Sequence, residues 1–145
     1  DIHNRVNLYL LDSIAPESLA SVPLSKGRSV AEQFAHIHNT RLLWLKQAAP
    51  ELIGELIKIE KEAASDKQML HASIEDSGRA MRALLSKAIE SGGRMKGFKP
   101  HAVAYLGYLI SHESHHRGQI VLSLKQAGYS VDRKVLFGLW EWGVR

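Results

Sequence analysis

Residues 100–128 read PHAVAYLGYLISHESHHRGQIVLSLKQAG, a continuous apolar-rich run bracketed by Pro100 and Gly128. Proline suits the first turn of a helix because its φ is already fixed there, and glycine after the last turn adopts the left-handed cap conformation cheaply. The run therefore predicts a long helix from near Pro100 to Ala127. Counted at 100° per residue, Ala102, Leu106, Leu109, Ile110, Ile120 and Leu124 share one broad face, with His112 and His116 at its flank. Glu113 falls near the middle of that apolar face, where an unpaired carboxylate is costly to bury.

Three more helical stretches lie upstream. Residues 2 to 15 carry Ile2, Val6, Leu8, Tyr9, Leu10, Leu11 and Ile14 with no internal breaker, and Pro16 closes them. A connector follows to Arg28, with room for one short turn at Glu17 to Ala20. Ser29 and Glu32 form a capping box, S-V-A-E, ahead of a helix to Ala49 that Pro50 ends. Ser65 or Asp66 caps a third helix running to Ser91, where Gly92-Gly93 stops it. Sustained period-two alternation is missing apart from a few positions near Tyr129 to Phe137, so no sheet is expected. These patterns predict an all-α fold, a four-helix bundle, as a single domain over residues 1–145.

Composition narrows the chemistry. The chain has 145 residues, 45% of them hydrophobic, enough for a core without staples. It has no cysteine, which removes disulfides, thiolate metal sites and thiol nucleophiles together. Any thiol chemistry must use a thiol from a second substrate. No apolar run spans a membrane, and the absence of cysteine fits a reducing, cytoplasmic setting. The net charge of +4 is modest, and the basic connector Arg94 to Lys99 reads as a solvated loop, with no nucleic-acid or membrane partner. The abrupt start without Met suggests a trimmed amino terminus.

On a helix, His112 and His116 lie one turn apart on one face and can aim two imidazoles at one ion. With eight histidines in the chain, chance alone gives roughly 0.4 pairs at that spacing, so its place on the core flank matters more than the spacing itself. Two boundary histidines hydrogen-bonded to neighbours is the competing reading. His115 is turned away from the pair. Glu113 has two readings: a group that steadies a ligand or takes a proton from bound water, or a buried ion pair with an arginine of another helix. The string His112-Glu113-Ser114-His115-His116 also satisfies the H-E-x-x-H pattern of metallopeptidases. Gln119 stands where the extended pattern needs glycine, Glu141 is a remote third ligand for it, and no sheet is visible to align a peptide.

A third ligand must come from elsewhere. The second helix offers His36 and His38, and periodicity does not choose between them. His3 and His71 are weaker candidates. His101 lies about 16 Å from His112 along the same helix, too far for one ion. Gly118, inside the fourth helix, suggests close packing beside the histidines. Trp44, Trp140 and Trp142 read as core or interface anchors, with a tryptophan near the carboxyl end able to close a pocket mouth.

The stretches Ser29-Val30-Ala31-Glu32-Gln33-Phe34-Ala35-His36-Ile37 with Trp44-Leu45, and His112 to Ile120, resemble the DinB-like family of metal-dependent bundle proteins; Asn4-Arg5-Val6-Asn7 and Leu139-Trp140 are also similar. The resemblance implies a metal triad of His36, His112 and His116, with Glu113 and His115 as assisting groups. The ion it implies is divalent: nickel, zinc and iron all accept imidazole. It further implies a metal-dependent transferase or hydrolase using a small-molecule substrate such as a low-molecular-weight thiol, and a homodimer. The alternative is a non-catalytic metal- or ligand-binding bundle. The family's link to DNA damage induction carries no DNA binding. Arg41 departs from the acidic residue expected in many relatives, and it offers itself as the partner of Glu113.

Overall fold

A computed structural model describes residues 1–145, and its regular elements are all helices, with no strands. Four long helices, α1 (Ile2–Asp12), α2 (Val30–Ala48), α3 (Lys67–Glu90) and α4 (Ala102–Gln126), are followed by a short α5 (Arg133–Gly138). No helix is long and apolar enough to cross a membrane. α2 packs against α3 and α4, and α1 packs against α3 and α4 in turn.

Local chemistry sets the ends of these helices. The Ser29 hydroxyl accepts from the Glu32 amide at 3.2 Å, and the Ser29 amide donates to Glu32 Oε2 at 2.6 Å, closing the expected capping box. Asp66 Oδ1 accepts from the amides of Gln68 and Met69 and starts α3. At the end of α4, Gly128 takes φ +84°, the Tyr129 amide donates to the Leu124 carbonyl, and the Gly128 amide donates to the Lys125 carbonyl. This pair of bonds is the Schellman closure, and it needs the left-handed glycine.

Two boundaries and one element differ from expectation. α1 ends at Asp12, because the Ser13 hydroxyl takes the Leu10 carbonyl and turns the chain early. α4 begins two residues after Pro100, because His101 is the extended N-cap, its Nδ1 accepting from the Val103 amide at 3.2 Å. Gly93, at φ +77°, lets the backbone pass so close to His101 that any Cβ would strike the ring. The positions near Tyr129 to Phe137 hold α5, capped by Asp132.

The core is divided in two. Fifteen buried residues, including Leu10, Phe34, Ile37, Leu70, Ile74 and Ile120, fill one end, and seven, including Leu45, Met81, Leu84, Tyr105 and Leu109, fill the other. Between them runs a buried polar layer to which each long helix contributes: Asn7, Arg41, Ser77 and Glu113. The buried stripe of α4 is turned slightly from expectation, since Tyr105 lies inside and Leu106 is partly exposed.

Candidate metal centre

His36 on α2 and His112 and His116 on α4 converge, each offering one ring nitrogen so that all three nitrogens lie within 4.8 Å of one another. The Nε2 atoms of His112 and His116 are 3.2 Å apart. Two imidazoles bound to one tetrahedral zinc at about 2.0–2.1 Å place their nitrogens roughly 3.3 Å apart, so this spacing fits a shared divalent ion. The donor set is three borderline nitrogen ligands, suited to nickel, zinc or iron. The His36 ring lies 4.6 Å from that of His116 and 5.3 Å from that of His112, centroid to centroid.

One hydrogen bond from outside the triad orients one of its members, His116, while the buried His112 Nδ1 has no hydrogen-bond partner. His116 Nδ1 lies 2.6 Å from Gln33 Oε1. An amide oxygen only accepts, so Nδ1 carries the proton and Nε2 keeps its lone pair for the ion. Gln33 precedes His36 by three residues on α2, so one face of that helix supplies both a ligand and the group that fixes another ligand. Tyr108 stacks on His112 at 5.9 Å between centroids, one turn earlier on α4. Burial, then the neighbouring imidazoles and Arg28, lower the His116 pKa to about 4. Burial likewise lowers His36 and His112, with Arg28 contributing to both. All three are therefore neutral at neutral pH, the form that binds a metal.

His38 is not part of this cluster. Its two ring nitrogens each lie 2.9 Å from a carbonyl, those of Ser73 and Ile57, and it ties the segment after α2 to α3. His115 is exposed and pairs with Gln119 Nε2 at 2.9 Å. His71 faces Asp12, His101 caps α4, and Glu141 lies on the surface near Arg145.

Glu113 takes the ion-pair reading. Arg41 grips it with two bonds, Nε to Oε1 at 2.7 Å and NH2 to Oε2 at 2.8 Å. Asn7 Nδ2 donates to Oε2 at 2.5 Å and His3 Nε2 lies 3.1 Å from it. Burial pushes the carboxyl pKa up, but Arg41 and His3 more than offset it and hold the group well below the usual carboxylate range. The departure at Arg41 thus answers the interior glutamate. Arg117 joins the same layer through Asn7 Oδ1 at 2.5 Å and Ser114 Oγ at 2.7 Å.

One further expectation is corrected. Gly118 does not serve close packing, because a Cβ there would meet nothing within 4 Å. Of the tryptophans, only Trp44 packs inward, edge-on to Tyr105 and Phe98, whereas Trp140 is 81% exposed and Trp142 41%. Sequence reasoning missed Gln33 and Arg28; the only signal for Gln33 was its place one turn before His36.

No curated protein and no solved structure matches the chain. The DinB family does match, over residues 2–133, a span that holds all four long helices and all three converging histidines. On that match, and on the bundle and histidine arrangement that accompany it, the chain belongs to the DinB family.

Proposed function

We propose that His36, His112 and His116 hold one divalent ion and that the protein uses it in a thiol-dependent transfer or hydrolysis of a small molecule. The observation that carries this reading is the convergence of three imidazoles, with the Nε2 atoms of His112 and His116 3.2 Å apart. A divalent ion held by His36, His112 and His116 would supply Lewis-acid chemistry there, lowering the pKa of a water or thiol brought to it.

The chain's own residues supply the rest. Gln33 holds the His116 proton on Nδ1. The Tyr108 ring covers one face of His112. A cavity of about 370 Å³ beside His36 is lined by Arg28, Lys58 and Lys61. Lys58 is paired with Glu60 and Lys61 with Glu32, which leaves Arg28 to meet an anionic substrate group. Because the chain has no cysteine, the thiol enters as a substrate. A carboxylate-bearing thiol suits both features.

Glu113 argues against the peptidase reading, since its carboxylate is only 2% exposed and committed to Arg41. The test is consumption of glutathione with a chlorinated nitroarene by zinc-, nickel- or iron-loaded protein. We expect metal-dependent turnover that His116→Ala abolishes. Equal rates in wild type and variant would leave a metal-binding bundle without catalysis.

A further inference from the structure

We infer that the back of α4 carries a second site, independent of the imidazoles, for a small monocarboxylate with an apolar body. Ser114, Arg117 and Gly118 project from the side of α4 turned away from His112 and His116. They form the floor of a cavity of about 290 Å³ whose walls are Leu136, Leu139 and Trp142, with the exposed Trp140 at its rim. Ligand pockets run from about 300 Å³ upward, so this one suits a compact molecule. The walls lie beyond residue 133, where the family match ends. They are fixed in place: the Arg145 guanidinium lies over the Tyr9 ring at 3.6 Å from its centroid, and Arg145 Nε donates to the Gly138 carbonyl at 3.2 Å.

Charge identifies the ligand. The buried layer holds two guanidiniums, Arg41 and Arg117, and one carboxylate, Glu113. Both oxygens of Glu113 are gripped by Arg41. Arg117 finds only the Asn7 amide oxygen, the Ser114 hydroxyl and the ring of His3, none of them an anion. Those bonds use NH1 and NH2, so Nε–H remains as a donor. A buried cation without its own anion is costly, and a carboxylate arriving through the cavity supplies one. The two tryptophans offer apolar faces for the rest of the ligand. Gly118 explains itself here: it costs helix stability relative to alanine, a Cβ there would stand in open space, and its absence keeps the floor open.

Naphthoate and its neutral counterpart naphthylmethanol test this by calorimetric titration of the zinc-loaded protein. Naphthoate should bind one to one, and at least about tenfold more tightly than the alcohol, as a charge-assisted hydrogen bond to arginine requires. Gly118→Leu should fill the cavity and weaken naphthoate more than about tenfold, with helicity and zinc content unchanged. Arg117→Gln should make the two probes equal. Equal binding of both probes by the wild type, or no binding of either, overturns the inference. So does naphthoate binding that survives Gly118→Leu, or a wild-type dimer that the same substitution splits, since a second copy would then be the occupant.

Discussion

At the residue scale, the metal centre depends on an amide that carries no metal-binding signature. Gln33 Oε1 accepts the hydrogen bond from His116 Nδ1 and so decides which nitrogen faces the other imidazoles. Groups in this position typically contribute 10- to 100-fold to metal affinity. Gln33→Ala should therefore weaken zinc binding by roughly that factor in competition with a chromophoric chelator, with helicity retained; an unchanged affinity would deny it the role. The His112/His116 pair was legible because helical spacing is a local property. The choice of His36 over His38 came from the family resemblance and not from periodicity, since it turns on what the rest of the chain presents. The carbonyls of Ile57 and Ser73 occupy both nitrogens of His38, and neither can be read from α2 alone.

At the element scale, the clearest predictions were those a few adjacent residues decide. Ser29 with Glu32, Asp66 and Gly128 each satisfy backbone groups of their own helix, and each boundary fell where its residues implied. α5 escaped because six residues are too few for periodicity to speak, although Asp132 marks its start. Gly118 was misread for the opposite reason: a glycine within a helix signals some gain, but which gain depends on the surface above it. Because nothing lies within 4 Å of its would-be Cβ, Gly118→Ala should raise stability by about 0.5–1 kcal/mol in urea denaturation. A loss of stability would mean that a neighbour does close on that position.

At the scale of the whole molecule, the bundle places a polar layer between two apolar clusters, and the imidazoles share its level through Glu113 and His116 on α4. Arg41 and Glu113 were both visible in the sequence as misfits, an arginine in an unexpected position and a carboxylate on an apolar face. Their pairing was a natural guess, but the contributions of Asn7, Ser77 and Arg117 follow only from assembly. Glu113→Leu should cost about 3–5 kcal/mol, because it strands the buried Arg41 guanidinium that grips it. Adding Arg41→Met should recover much of that loss, because an apolar pair of similar volume replaces the ion pair. Denaturation of the two variants checks this, and a double variant no more stable than the single one would contradict it.

The central claim is that three histidines from two helices hold one ion, and equilibrium dialysis against zinc, nickel or iron followed by elemental analysis tests it most directly. The account predicts one ion per chain in the wild type and a large loss in both His36→Ala and His116→Ala. A wild type that retains no ion, or variants that retain as much as the wild type, would contradict it.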